Sequence, residues 1–227
     1  LSFVPDGMKK IAYAVSTGKS QLSSYETEQI KKYVKEYTAI SVREADMAVI
    51  LQKAMPEKTV ELLLDPALLL GKKDWDAIAS KRKIEKSYVF CYFLGPDIKI
   101  RRIAKEYAKK YGLELVTMPH MQGEIEINDI NFGDIQIYDA VPQDFLSYIK
   151  YAELVFTDSF HATVFSSVFQ KQYIVFGRTE CKEMNNRIET LMDIFHTKYR
   201  FIDDTEKFEL SYIEKIKEVH DNNNNGS

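Results

Sequence analysis

The sequence has few cysteines, no excess of basic residues and no long hydrophobic run. Its two cysteines, Cys91 and Cys181, lie far apart and show no metal-ligand spacing, which indicates reduced thiols in a cytosolic protein. The formal net charge of −3 over 227 residues gives no electrostatic basis for binding nucleic acid. No apolar run approaches the roughly 20 residues that a transmembrane helix needs. We therefore expect a cytoplasmic protein with no transmembrane segment.

Several motifs of well-known enzyme classes are also missing. Gly95-Pro96-Asp97 holds a single glycine and cannot form a glycine-rich phosphate loop, and no Walker pattern or nucleophile elbow occurs. No cluster has metal-ligand spacing, so neither a metal nor a cofactor is predicted. Leu1 opens the chain without a signal-peptide pattern, and we expect that further sequence precedes it. The hydrophobic content of 45%, with 14 Tyr and 13 Phe, indicates a globular protein with a substantial core.

Short apolar runs alternate with amphipathic stretches, which indicates strands and helices in turn. The predicted strands are 10–16, 39–42 and 60–64 in a first series, then 88–94, 113–118, 135–138, 154–156 and 173–176. The predicted helices are 25–37, 45–55, 98–111, 142–151, 160–169, 185–195 and 206–219. Apolar strands separated by helices are typical of parallel sheets that are covered on both faces. The sequence therefore predicts an α/β fold.

A charged segment at 71–86 separates the two series and is interpreted as a linker with one short helix. Residues 1–84 would hold the remainder of an N-terminal Rossmann-like domain plus this linker. Residues 85–227 would form a C-terminal Rossmann-like domain with its closing helices. The first series has only about three strands, so we expect the first domain to be incomplete. The tail from Asp221, with four consecutive asparagines, is expected to fray.

Ligands of open parallel sheets bind at the carboxyl ends of the strands, so residues that follow strands are candidates. The most informative stretch runs from Thr157 to Thr163, where an apolar strand leads directly into a helix. Asp158 or Ser159 could cap that helix, and His161 would lie in its first turn, near the positive end of the helix dipole. This arrangement predicts a proton-transferring imidazole beside an anionic substrate. The structural alternative is that His161 packs against Phe165, one turn further along.

Other candidates follow strands or begin helices. Arg43 ends a buried strand, where the alternative is an ion pair with Glu44 or Asp46. Arg187 begins a helix, where the dipole disfavours a cation and an anionic partner is plausible. His120 and Asp65 are weaker candidates, since a loop position and an Asp-Pro turn explain them. The predicted substrate-binding residues are Arg43, Gly95, Asp158, Ser159, Arg178 and Arg187.

Six segments are informative when they are taken together: Ile11–Ser16, Ile40–Glu44, Asp65-Pro66, Pro142–Ile149, Thr157–Ala162, and Asn186–Ile188 with Leu191. As a set they resemble the polysaccharide pyruvyl transferase family. Their order and spacing agree over nearly the whole chain. The resemblance implies two Rossmann-like domains arranged as in a B-type glycosyltransferase, with an N-terminal half-domain that this chain lacks. It also implies a bacterial enzyme that moves pyruvate from phosphoenolpyruvate onto two hydroxyls of an exopolysaccharide or cell-wall sugar, forming a ketal and releasing phosphate.

The resemblance also implies roles for particular residues. His161 would be the general acid and base, and Arg43 would hold a phosphate or carboxylate with help from the helix start at Ser159. The partners would be phosphoenolpyruvate and a sugar or lipid-linked glycan, the latter bringing the protein to the membrane surface. Several members of the family carry an arginine where this chain has Ser159-Phe160. Either Arg178 or Arg187 would substitute for it, or the donor differs.

Two other functions fit the same pattern. A nucleotide-sugar-dependent glycosyltransferase would share the two-domain architecture and would need a ribose-binding carboxylate near a strand end, for which Glu180 and Glu183 are candidates. A protein that kept the fold without catalysis would show no glycan phenotype on His161→Ala. Under each hypothesis we expect low or no activity from this chain alone, because one wall of the cleft is incomplete.

Overall fold

The chain folds around two separate parallel sheets. The computed structural model describes residues 4, 5, 7–19, 21–120 and 126–224. One unit consists of Leu1–Leu69 with Cys181–Phe195, and the other consists of Leu70–Glu180 with His196–Ser227. The prediction of an α/β fold with two parallel sheets is confirmed.

The described residues form nine strands and eight α-helices. The strands are β1 (Lys10–Val15), β2 (Tyr37–Val42), β3 (Val60–Leu62), β4 (Tyr88–Tyr92), β5 (Glu114–Thr117), β6 (Ile135–Gln136), β7 (Leu154–Thr157), β8 (Tyr173–Phe176) and β9 (Phe201–Ile202). The helices are α1 (Ser24–Val34), α2 (Ala45–Ala54), α3 (Lys72–Ile78), α4 (Ile98–Tyr111), α5 (Pro142–Tyr151), α6 (Phe160–Val168), α7 (Asn186–Ile194) and α8 (Ser211–Asn224). No helix in this part of the chain is long and apolar enough to cross a membrane.

The first unit has a three-stranded parallel sheet in the order β1-β2-β3. Helix α1 begins with a capping box, in which Ser23 and Glu26 satisfy each other's backbone N–H groups. The core of the unit lies between β2 and α2, where Val42, Met47 and Leu51 are buried. Helix α7 packs on α2, and the Asn186 amide donates a 3.0 Å hydrogen bond to Asp46.

The second unit has a six-stranded parallel sheet in the order β6-β5-β4-β7-β8-β9. One face is covered by α4 and α8, whose Ile103, Tyr107 and Ile213 join a large apolar core. The opposite face carries a chain of aromatic rings from α3, α5 and α6, including the edge-to-face pair of Trp75 and Phe165 at 4.9 Å. Helix α4 ends at Gly112, which adopts the left-handed conformation (φ +62°) that glycine accepts without strain.

The segment that was predicted to be a linker packs onto α5. The Ser80 hydroxyl donates to the Asp144 carboxylate at 2.6 Å, and Lys83 pairs with the same carboxylate at 2.7 Å. The Ser147 hydroxyl donates to the Lys81 carbonyl at 3.1 Å. Because these contacts tie the segment to α5, the second unit begins at Leu70, and the predicted boundary at residue 84 falls inside it. The predicted helix at 185–195 belongs to the first unit, because α7 packs on α2.

Several predicted bounds were wrong at element ends. Helix α1 ends at Val34, and Tyr37 opens β2 instead of closing the helix. The tail was predicted to fray from Asp221, whereas α8 continues to Asn224, since each residue added to an existing helix gains a hydrogen bond. Residues 225–227 lie outside the described residues. Strand β9, with two residues, was not predicted because it is too short to show a period.

Candidate functional site

The candidate site lies at the carboxyl edge of the six-stranded sheet. Four neighbouring strands, β5, β4, β7 and β8, end there side by side. They are followed by His120, Gly95, Asp158 and Arg178 respectively. Parallel strands present their carboxyl ends at one edge, which is where open α/β sheets bind ligands.

His161 lies in the first turn of α6 and is exposed. The helix begins just after the N-cap Ser159, whose side chain makes no capping hydrogen bond. Instead, the Ser159 N–H donates to the Thr157 hydroxyl at 3.0 Å, and its carbonyl accepts from the Thr163 hydroxyl at 2.8 Å. The imidazole contacts the Phe160 ring edge-to-face at 5.4 Å. The ring is therefore accessible at the positive end of a helix and not enclosed in the core.

Asp158 does not cap α6, contrary to the prediction. Its side chain is only 2% exposed and reaches to the loop that follows β4. One carboxylate oxygen accepts from the Leu94 N–H at 2.7 Å and the other from the Gly95 N–H at 2.8 Å. A Cβ at position 95 would lie 3.1 Å from the Asp158 Oδ2, so a glycine permits this close approach. Asp158 and Gly95 thus close the β4–α4 loop, and that they bind substrate stays a prediction.

Arg178 follows β8 and lies against Asp158. Its Nε and Nη2 donate to the Asp158 carbonyl at 3.3 and 3.2 Å, and Nε is 3.5 Å from the carboxylate. Burial raises the pKa of the Asp158 carboxyl, while Arg178 and the Leu94 and Gly95 amides act to lower it. The guanidinium therefore places a positive charge beside the turn that leads into α6.

A buried ion pair also supports the β4–α4 loop. Arg101, 3% exposed, donates from Nη1 to the carbonyls of Gly95 and Asp97, both at 2.9 Å. Its Nε donates to Asp129 at 2.9 Å. Burial raises the pKa of Asp129, and Arg101 opposes this effect. The loop is thus fixed through its amides by Asp158 and through its carbonyls by Arg101. In the sequence, this role of Arg101 is indicated only by its position as an arginine on the apolar face of α4.

Tyr92, the last residue of β4, was not among the predicted site residues. It pairs with Thr157 in the sheet, and the Thr157 hydroxyl donates to the Tyr92 carbonyl at 2.6 Å. The half-buried ring contacts Phe145 at 5.1 Å and His120 at 6.5 Å. Burial raises the pKa of the Tyr92 hydroxyl, Asp158 raises it further, and Arg178 lowers it. The sequence did not indicate Tyr92 as a site residue because it falls within an apolar run.

Two predicted residues, Arg43 and Arg187, belong to the first unit. Arg43 follows β2 and pairs with the buried carboxylate of Asp65, which also accepts from the Ala67 N–H at 2.9 Å. Of the two carboxylates considered as alternative partners of Arg43, Glu44 accepts from Ser16 and Asp46 accepts from Asn186. Arg187 lies half-buried in the first turn of α7. That these arginines bind an anion stays a prediction.

A separate cavity of about 460 Å³ lies at the edge formed by the ends of β4, β8 and β9. Glu180, one of the two candidate ribose ligands, lines it, whereas Glu183 lies in the first unit. The walls carry five carboxylates, those of Asp97, Glu180, Asp203, Asp204 and Glu206. Lys99 also lines the cavity, and its ammonium pairs with Glu206. Such a wall repels a pyrophosphate. Among the described residues, no three His, Cys, Asp or Glu side chains are arranged to hold a metal.

The family model of the polysaccharide pyruvyl transferases matches residues 1–180. The chain belongs to the polysaccharide pyruvyl transferase family. The match includes both histidines and Arg178 at the carboxyl edge of the larger sheet, together with Arg43 of the first unit. No curated protein matches this pyruvyl transferase family member.

Several solved structures are similar to this family member. They include UDP-GlcNAc 2-epimerase from Neisseria meningitidis, 15% identical over 80% of this chain and 60% of that chain, with a TM-score of 0.45. The wall teichoic acid polymerase TagF is 13% identical over 93% and 65% of the two chains, with a TM-score of 0.43. The glycosyltransferase SnogD from Streptomyces nogalater is 9% identical over 79% and 58%, with a TM-score of 0.40. The chain therefore spans 58% to 65% of the length of these three structures. With TM-scores below 0.5, the similarities carry no conclusion about a ligand.

Proposed function

We propose that the protein transfers pyruvate from phosphoenolpyruvate to a sugar diol of an exopolysaccharide or cell-wall glycan, forming a cyclic ketal. Membership of the family supports this class of reaction. The observation that carries the proposal is the exposed imidazole of His161 at the amino end of α6, in the unit whose strand end also carries Arg178. The reaction would take place in the cytoplasm, where phosphoenolpyruvate is made. A lipid-linked acceptor would bring the protein to the membrane surface.

The chemistry needs one group that moves protons in both directions. The methylene carbon of phosphoenolpyruvate gains a proton, and C2 then accepts the oxygen of one sugar hydroxyl, whose proton is released. The second hydroxyl attacks C2 as the bond from C2 to the phosphate oxygen breaks, and its proton leaves with the phosphate. An imidazole can supply the first proton and accept the one released by the first hydroxyl, which is the role proposed for His161.

The donor is an anion, so the site must supply positive charge. The first N–H groups of α6 point out of the helix end and favour an anionic oxygen. Arg178 lies beside the Asp158 turn, two residues before the helix begins. It therefore supplies a cation near the position where several members of the family have an arginine and this chain has Ser159-Phe160. This position supports Arg178 as the replacement.

The nucleotide-sugar alternative receives no support from the cavity that Glu180 lines. A nucleotide diphosphate carries two or more negative charges, and the cavity presents five carboxylates. Repulsion between these carboxylates and a diphosphate in the cavity opposes binding unless cations lie between them. Lys99 pairs with Glu206 and offsets one of these charges, which still leaves an excess of negative charge on the lining residues.

The proposal is tested by mass spectrometry of a glycan acceptor incubated with phosphoenolpyruvate and the intact protein. We expect the acceptor to gain one pyruvic acid less one water, with release of phosphate. His161→Asn should lower the rate at least about 100-fold, because asparagine cannot exchange a proton. His196→Asn is the matched control: His196 is exposed, and its φ of +54° suits asparagine. Unchanged activity of His161→Asn, or no ketal with the unaltered protein, would contradict the proposal.

A further inference from the structure

Tyr92 lies where three neighbouring strand ends meet. It is the last residue of β4 and stands opposite Thr157, the last residue of β7. On its other side is β5, which leads to His120, and the Tyr92 and His120 rings are 6.5 Å apart. Tyr92 therefore sits centrally on the edge that also carries the turn leading to His161.

The side chain of Tyr92 points to the face of the sheet that α5 and α6 cover. Residues two apart on a strand share a face, and Phe90 packs against Phe145 and Tyr148 of α5. Tyr92 contacts the same Phe145 at 5.1 Å. Phe145 in turn contacts Phe165, which lies one helical turn after His161 on α6. Tyr92 and His161 thus occupy the carboxyl end of the same sheet face.

The Tyr92 hydroxyl makes no hydrogen bond within the described residues, although the ring is half-buried. The Tyr92 hydroxyl is not one of the buried polar atoms, so a ligand can reach it. The Tyr88 hydroxyl, at the other end of the strand, instead donates to the Tyr148 carbonyl at 2.9 Å. A tyrosine hydroxyl is protonated near neutral pH, and burial raises the pKa of Tyr92 further, so this hydroxyl can donate a hydrogen bond. Arg178 donates to the carbonyl of Asp158, which directly follows Thr157, the strand partner of Tyr92. The guanidinium and the Tyr92 ring therefore belong to the same end of β7, and a hydroxyl donor together with a guanidinium suits an anionic oxygen.

We infer that the Tyr92 hydroxyl donates a hydrogen bond to a phosphate or carboxylate oxygen of the donor substrate, acting together with Arg178. This inference rests on the proposed function and adds a substrate-binding residue to the same site. A neutral donor and a guanidinium together bind an anionic group in one orientation, which directs the methylene carbon towards the proton source.

The test uses Tyr92→Phe in the intact protein, since this change removes one oxygen and preserves the ring contacts. The KM for phosphoenolpyruvate should rise about 10- to 100-fold, as expected for losing a hydrogen bond to a charged group. The dissociation constant measured by calorimetry, with phosphoenolpyruvate and with inorganic phosphate as probes, should rise similarly for at least one of them. Tyr107→Phe is the matched control, because the Tyr107 hydroxyl is buried on α4 without a hydrogen bond among the described residues. Its KM and dissociation constants should not change.

The outcomes separate this inference from the proposed function. If the unaltered protein binds phosphoenolpyruvate and Tyr92→Phe binds both probes equally well, the role of Tyr92 is overturned and the reaction stands. If the variant binds more weakly but no ketal forms with the unaltered protein, the anion contact stands and the reaction is overturned. If the unaltered protein binds neither probe, both fail. A similar loss in Tyr107→Phe would attribute the effect to folding and overturn the inference.

Discussion

At the scale of single residues, the loop after β4 is held in place by the buried charges of Asp158 and Arg101. Asp158 reaches 64 positions back along the chain to the Leu94 N–H, and Arg101 contacts the carbonyls of the same loop. Pairing in the interior leaves little freedom to such groups, because an unpaired buried charge is costly. The loop after β4 should therefore be rigid, and its rigidity should depend on each of these side chains.

Asp158→Asn should lower the free energy of unfolding by about 2–4 kcal/mol. The Leu94 and Gly95 N–H groups each donate to a separate oxygen of Asp158. Asparagine has only one such oxygen, and its NH₂ group would face the N–H that loses its acceptor. The measurement is urea unfolding at pH 7. Asp139→Asn serves as the control, because Asp139 is exposed and makes no hydrogen bond or ion pair with a described residue; its effect should stay within about 0.5 kcal/mol. Equal effects of the two changes would contradict the role of Asp158 in fixing the loop after β4.

The position of His161 could be predicted from the sequence, whereas the part played by Asp158 could not. A helix start after an apolar strand is a local pattern, so the first turn of α6 follows from neighbouring residues. The partners of Asp158 come from another strand, and nothing near position 158 indicates them. Tyr92 was missed for the same reason, since it differs from its apolar neighbours only by a hydroxyl whose surroundings are set by β5 and β7.

At the scale of elements, the bounds of α4, α5 and β8 agree with the prediction, while the charged segment before β4 was misinterpreted. Asp97 caps the start of α4, Gly112 follows its end, and Pro142 begins α5. These boundaries can be predicted because they are set by residues within or next to the helices themselves. The charged residues around 80–83 predict a linker. Ser80 and Lys83 instead contact Asp144, a partner that lies about 60 residues away.

The contact of Lys83 with Asp144 should make stability depend on pH. Lys83 holds the pKa of the Asp144 carboxyl below its ordinary value, with the Ser80 hydroxyl assisting. The stabilisation is therefore present above the unfolded pKa of about 3.9 and is lost as the pH falls through the lower folded pKa. Asp144→Asn should be less stable than the unaltered protein by about 0.5–1 kcal/mol at pH 7. Urea unfolding at successively lower pH should show this difference shrinking below about pH 4.

The control for this effect is Glu85→Gln in the same segment. Glu85 is exposed and has no hydrogen bond or ion pair within the described residues. The difference in free energy of unfolding between Glu85→Gln and the unaltered protein should be the same at pH 7 and pH 3. A difference for Asp144→Asn that stays constant with pH would mean that the ion pair does not stabilise the segment.

At the scale of the whole molecule, ligand binding should be visible as stabilisation. A ligand that binds only the folded protein adds about 2.7 kcal/mol to the free energy of unfolding at one hundred times its dissociation constant. We expect phosphoenolpyruvate to raise the melting temperature of the intact protein in scanning fluorimetry and a nucleoside diphosphate to leave it unchanged. Arg178→Gln should reduce the shift, whereas Arg102→Gln on the exposed face of α4 should not. A shift with the nucleotide alone would favour a glycosyltransferase.

The first unit is built from two stretches of chain, because α7 packs on α2 although it follows β8 in sequence. The polypeptide consequently passes between the units three times, after Leu69, Glu180 and Phe195. A chimera that exchanges this unit with that of another family member needs a junction at each passage. Recombination at a single point would join an α2 from one parent to an α7 from the other, so these two helices should be inherited together.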